Sequence, residues 1–182
     1  MTQEAYTKRY GGQPEKYGRV AVLFGGVSSE REVSLRSGSA IASALEEDGF
    51  SVKRIDITEN AIDQLTAEQI DRAFIALHGV GGEDGKIQAV LDWLKIPYTG
   101  SDMASSALAM NKLQTKYIWQ SRGFPTPKYE VINQSSDWGK VFEQLGGEVF
   151  VKPIHEGSSL GMSFVDEVSE MAVAYKEAAK FD

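Results

Sequence analysis

Three loops rich in glycine and serine hold the residues of this chain best suited to chemistry. The first, Gly25-Gly26-Val27-Ser28-Ser29-Glu30-Arg31-Glu32, follows the apolar run Val20-Ala21-Val22-Leu23-Phe24. A strand, a glycine turn and a helix N-terminus are the parts with which nucleotide-binding proteins hold a phosphate. A carboxylate there repels phosphate, so Glu30 asks for another role. Two readings stand. It is a helix-end charge favoured by the macrodipole, or it faces the strand-end crevice and binds a small cation such as a substrate ammonium. Ser29 and Glu32 fit a capping box, which leaves Glu30 spare.

The second loop, residues 78–85, opens on His78, one of two histidines in the chain. Both histidines follow a strand directly and open a glycine loop. Such a histidine is a structural hydrogen-bonder or a group that meets substrate. Asp84 reads as a cap for the next helix. The third loop, Lys152-Pro153-Ile154-His155-Glu156-Gly157-Ser158-Ser159-Leu160-Gly161, has a lysine at a strand end and small residues that let backbone N–H groups approach phosphate oxygens. Ser158 and Ser159 add hydroxyl donors. The alternative is an ordinary hairpin loop with a surface lysine. No GxxxxGK[ST] pattern occurs, so it is not a Walker loop.

The elements that must position these loops alternate. Strands are predicted over 20–24, 50–57, 73–77 and 96–99. Helices are predicted from the capping box to Gly49, over 65–70, and from Ile87 to Leu94. This βαβαβαβ order implies a mostly parallel sheet with helices on both faces, and in such sheets ligands sit at the carboxyl ends of the strands. From Asp102 the pattern changes. A long helix is predicted to Arg122, then strands over 129–132, 148–154 and 162–165, with helices over 138–145 and 171–180. The domains read as an N-terminal extension over 1–17, a parallel α/β domain over 18–105 and an α+β region over 106–182. Helical period persists to the last residues without a glycine cap. The second region holds only about 70 residues, so it reads as an unfinished domain and the chain as a fragment.

Composition narrows the classes. The chain has 182 residues, no cysteine and a net charge of −7, with Lys and Arg scattered rather than striped. That argues against nucleic acid as a partner. No apolar run approaches the roughly 20 residues of a membrane span, and the first 17 residues lack the apolar core of a secretory signal. Absence of cysteine suits a reducing cytoplasm.

Taken together, AVLFGGVSSEREVSLRSG, FIALHGVGGEDGKIQ, LDWLKIPYTGS, ALAMNKLQTK and VFVKPIHEGSSLGMS, in that order from Val20 to Ser163, make the chain resemble the D-alanine–D-alanine ligase family of the ATP-grasp superfamily. The resemblance implies a Rossmann-like pre-ATP-grasp domain followed by part of an ATP-grasp central domain. It implies that Glu30 binds the ammonium of the first D-alanine. Ser158 would hydrogen-bond that glutamate, both acting in catalysis and both touching substrate, with His78 and Val33 also at the first substrate. Lys112 and Lys152 would contact ATP phosphates, and Glu156, Gly157, Ser158 and Ser159 would form the loop that closes over the nucleotide. ATP and Mg2+ (or Mn2+) are the implied cofactors, with every metal ligand expected beyond residue 182 and none within the chain, so the fragment alone is expected to be inactive. A homodimer is the implied assembly. Two departures appear: Asn111 where an aspartate is common, and His155 where another, often basic, residue stands. The implied reaction joins two D-alanines through an acyl phosphate for peptidoglycan synthesis. A ligase making D-alanyl-D-lactate, another ATP-grasp carboxylate–amine ligase, and a noncatalytic binding or dimerising module remain open.

Overall fold

The computed structural model describes residues 13–181, and the chain divides into two compact units, Met1–Ala107 and Leu108–Asp182. Most of the expected N-terminal extension lies outside the described residues. Its last part, Pro14–Tyr17, is a 3-10 turn whose Tyr17 ring rests 5.5 Å from that of Phe50.

The first unit is built on β1 (Arg19–Gly25), α1 (Arg31–Glu47), β2 (Ser51–Ile57), α2 (Ala61–Thr66), β3 (Arg72–Ile75) and α3 (Lys86–Trp93). The strands form a parallel sheet in the order β2-β1-β3, with Leu23 paired to Ile55 on one side and Ile75 on the other. Because β1 is central, both of its faces are covered, and its sequence is accordingly apolar from Val20 to Phe24. Alternate residues serve different cores. Ala21 and Leu23 pack with Ile55, Ile57, Leu65, Ile87 and Leu91, whereas Val22 and Phe24 pack with Ile41, Ala42 and Leu45 of α1. Helix α1 comes unusually near its strand at Gly38, where an added Cβ would lie 2.6 Å from Cγ of Phe24 and nearer still to its Cβ. All three strands end at the same edge, which carries the first two glycine loops.

Three expectations for this unit are corrected. Helix α2 starts at Ala61 rather than Leu65, because the Gln64 amide ties it to the end of β2, donating to Asp56 O at 2.8 Å and accepting from Thr58 N at 2.9 Å. The fourth strand over 96–99 is reduced to a single bridge between Ala73 and Tyr98. Pro97 has no N–H with which to extend a ladder, though its carbonyl accepts from Ala73 N at 2.9 Å. Strand β3 ends at Ile75, two residues short of the apolar run.

Helix α4 (Met103–Met110) leads into the second unit, which contains α5 (Lys112–Ser121), α6 (Trp138–Leu145), β4 (Val149–Val151), β5 (Ser163–Val165) and α7 (Met171–Ala178). The single helix expected over 102–122 breaks at Asn111. Its backbone is extended there (φ −89°, ψ 100°), and its side-chain oxygen caps α5 by accepting from Gln114 N at 2.9 Å. Residues 129–132 join no ladder among the described residues. Strands β4 and β5 form an antiparallel pair. One face of it, Val149, Val151 and Val165, packs on Met171, Ala174 and Ala178 of α7 and on Trp138, Val141, Phe142 and Leu145 of α6. Among the described residues no helix is long and apolar enough to cross a membrane.

Candidate functional site

In the first unit the two glycine loops at the carboxyl edge are fastened to each other and to the sheet. Gly25 and Gly26 turn the chain at φ +78° and +81°. The Arg31 guanidinium then grips the end of β2, with a two-pronged bond to Asp56 at 2.7 and 2.6 Å and a third bond to Gly26 O at 3.0 Å. The bond and charge of Arg31 hold the Asp56 carboxyl below its ordinary range. Only glycine fits at position 25, since a Cβ there would stand 2.6 Å from Arg31 Nη1 and strike Asp56. Sequence reasoning passed over this pair. Its one signal was an acidic residue between the two buried isoleucines at the carboxyl end of β2.

The expected capping box does not form. Glu30 itself occupies the N-cap position of α1, but its side chain makes no capping bond. Ser28 supplies the local turn instead: its Oγ accepts from Glu30 N at 3.2 Å and donates to His78 O at 2.8 Å, while Arg31 N reaches Ser28 O at 3.2 Å. A serine turn one residue earlier thus does the work assigned to Ser29. It also turns the Glu30 carboxylate inward, and Glu30 is only 6% exposed. That carboxylate lies against the Gly79 backbone, where an added Cβ would be 2.6 Å from Oε2. The Gly79 loop is closed by Glu83, whose carboxylate accepts from Gly79 N at 2.7 Å. The ring of His78, half-buried, places Nε2 3.1 Å from Ser37 Oγ. Ser37 also bonds the carbonyl of Val33, an exposed residue on the first turn of α1. Ser34, fully buried, donates to Ala76 O at 2.6 Å and locks α1 to the chain leaving β3. Glu30, His78 and Val33 therefore meet at one edge, and Ser158 belongs to the other unit. A buried carboxylate at this edge suits a small cation and disfavours phosphate.

In the second unit, α5 holds the root of the loop between β4 and β5. Lys112 donates from its backbone N–H to Ile154 O at 3.1 Å and from its ammonium to Ile154 O at 3.3 Å and to Glu156 O. In a trans peptide the N–H points opposite the carbonyl, so the N–H groups of His155 and Gly157 face away from α5. Ser158 and Ser159 follow in the left-handed region at φ +47° and +62°, a conformation non-glycine residues hold at a cost and one concentrated at functional loops. Lys152, exposed, sits 5.8 Å from the Phe150 ring. Lys116 was missed in the sequence, although it follows Lys112 by four positions and so shares its helix face. It donates to Thr126 Oγ1 at 2.8 Å and Pro127 O at 2.9 Å and lies 4.8 Å from the Tyr129 ring. Burial, and then the charge of Lys152, hold its amine below the ordinary lysine range.

A parallel α/β unit with glycine loops at its carboxyl edge, followed by a helix-covered antiparallel hairpin with a Gly/Ser loop, is the architecture of the ATP-grasp superfamily. Comparison with known proteins narrows the class. The family model for the D-ala D-ala ligase N-terminus matches residues 19–64 and 59–101, and that for the D-ala D-ala ligase C-terminus matches 118–182. The D-alanine–D-alanine ligase of Saccharophagus degradans is 56% identical over 177 residues, covering 97% of this chain and 56% of the relative. A crystal structure of D-alanine–D-alanine ligase from Bacillus anthracis superposes with a TM-score of 0.78 at 35% identity, over 90% of this chain and 54% of that one. The same enzyme complexed with ATP gives 0.75 at 34% identity, over 90% and 56%. The chain belongs to the D-alanine–D-alanine ligase family, and it spans about half the length of the curated relatives it matches.

Proposed function

We propose that the chain provides the first-substrate crevice and the nucleotide-phosphate loop of an ATP-dependent ligase that joins two D-alanines. The observation that carries this is the Glu30 carboxylate, buried at the carboxyl edge of a parallel sheet and held beside His78 by Ser28 and Gly79. In this reading Glu30 receives the ammonium of the first D-alanine, with His78 and Val33 flanking it. Lys152, Lys112 and the loop residues Glu156, Gly157, Ser158 and Ser159 serve the phosphates of ATP. The substrate carboxylate attacks the γ-phosphorus and ADP leaves. The amine of the second D-alanine then attacks the acyl carbon of the acyl phosphate, and inorganic phosphate departs. Stabilising the charge on the transferred group is the larger task, and preorganised donors suit it. Among the described residues no cluster of three or more His, Asp or Glu side chains could hold a metal. The lack of cysteine favours a cytoplasmic protein, and membership of the ligase family favours a homodimer.

Glu30→Gln tests the assignment in a ligase-length protein carrying this chain. The variant keeps the size and one acceptor but removes the charge. An ion pair in a closed site makes a loss of roughly 2–4 kcal/mol in kcat/KM for the first D-alanine the expected result. Helix α1 should persist, because the Glu30 side chain makes no cap. Unchanged first-site kinetics with a lowered melting temperature would reduce Glu30 to a helix-end charge.

A further inference from the structure

Asn111 separates two helices, and its amide works at both ends. Oδ1 accepts from Gln114 N at 2.9 Å, which settles which end of the amide is oxygen. Nδ2 then lies 2.9 Å from Nε2 of His155, 44 positions away at the root of the β4–β5 loop. An amide nitrogen only donates. Nε2 of His155 must therefore accept, and the ring proton sits on Nδ1. The adjacent Lys112 grips the same stretch through the carbonyls of Ile154 and Glu156.

We propose that Asn111 and His155 form a positioning pair for this loop. The neutral imidazole, latched by Asn111, sets the register in which Lys112 reaches its two carbonyls. That register decides which way the N–H groups of His155 and Gly157 point. The proposal deepens the reading of residues 152–162 as a phosphate loop and rests on it. The two tasks of Asn111 are separable. A serine can cap α5 but is too short to reach the imidazole. At position 155 glutamine offers an acceptor oxygen to Asn111, and leucine offers none. An aspartate at 111 reverses the polarity of the latch, because it can only accept and so draws the proton onto Nε2.

The test has two arms. In the first, the 182-residue chain is labelled with 15N-histidine, and its two imidazoles are assigned by the loss of one set of signals in His155→Gln. Nδ1 of His155 should be protonated and Nε2 bare in the neutral form, and Asn111→Asp should move the proton to Nε2. In the second, steady-state kinetics are measured in a ligase-length protein carrying this chain. Asn111→Ser and His155→Leu should each raise KM for ATP about three- to tenfold, the range of one lost hydrogen bond, with KM for D-alanine unchanged. His155→Gln should stay within about twofold of the parent if its carbonyl takes over the bond. A protonated Nε2 in the parent chain overturns the latch. The expected tautomer with unchanged KM for ATP in both disrupting variants overturns the positioning role. The expected tautomer in a protein that shows no ATP dependence overturns the phosphate reading of the loop and the positioning role with it.

Discussion

Gly79 and Gly81 lie two residues apart in one loop, and replacing each by alanine separates backbone strain from a collision with the Glu30 carboxylate. Both glycines have left-handed backbones, φ +64° and +88°. An alanine in that region costs roughly 1–2 kcal/mol, offset by about 0.4–1 kcal/mol from a less flexible unfolded chain. At Gly81 nothing lies within 4 Å of an added Cβ. Gly81→Ala should therefore lose only about 0.5–1 kcal/mol. At Gly79 the new methyl would stand 2.6 Å from Glu30 Oε2 and 3.3 Å from both Cβ and Oγ of Ser28. The carboxylate must retreat by about 0.8 Å to regain ordinary contact, with Ser28 closing the other side. Overpacking of this kind adds about 1–3 kcal/mol. Urea denaturation of the 182-residue chain, followed by circular dichroism, measures the difference. First-substrate kinetics in a ligase-length protein should show a raised KM for D-alanine in Gly79→Ala and a normal one in Gly81→Ala. Equal stability losses and equal KM values would refute the account of Gly79 as the wall against which the carboxylate is set.

Asp84 is expected to lend α3 a pH-dependent anchor. Burial alone would raise its carboxyl, but the N–H groups of Gly81 and Lys86 and the Lys86 ammonium together hold it below the ordinary range. A depressed carboxyl stabilises fully above its unfolded value of about 3.9 and loses that contribution as pH falls through the folded value. Asp84→Ala should therefore cost about 1 kcal/mol at neutral pH, a gap that closes in acid when urea midpoints are compared across pH. Lys152→Ala should weaken ATP by roughly 1.5–3 kcal/mol, the range for a charge-assisted bond, and leave D-alanine nearly unaffected, as competition kinetics in a ligase-length protein would reveal.

The sheet was legible because its signals are local. Five consecutive apolar residues stopped by two glycines describe a central parallel strand, and Gly49 marked the end of α1. Signals that need a partner were not legible. Pro97 is the exception, a local signal read through: a residue without an N–H demotes 96–99 from a strand to a bridge. The periodic stretch 102–122 reads through Asn111, because the amide that breaks it is stabilised partly by His155, 44 positions on. The position of Glu30 could be read from its place at a strand–helix junction. Its setting could not, for Ser28 reaches a carbonyl 50 residues away and Gly79 contributes only the absence of a side chain. Arg31 stood beside the residue of interest and was overlooked, its partner Asp56 being 25 positions distant.

The contact between Gly38 and Phe24 bears on how this sequence can drift. Helix α1 carries Glu30 at its leading end, and its standoff from β1 is fixed by a hydrogen atom on one side and the Cβ and Cγ of Phe24 on the other. Neither position can change size alone without tilting the rod that aims the carboxylate. In a randomised library selected for a working crevice, the two sites should enrich as a correlated pair, with alanine at 38 recovered only beside glycine at 24, the one residue without a Cβ. Serine or alanine at 38 in an otherwise parental background should survive a screen for folding more often than a screen for D-alanine use.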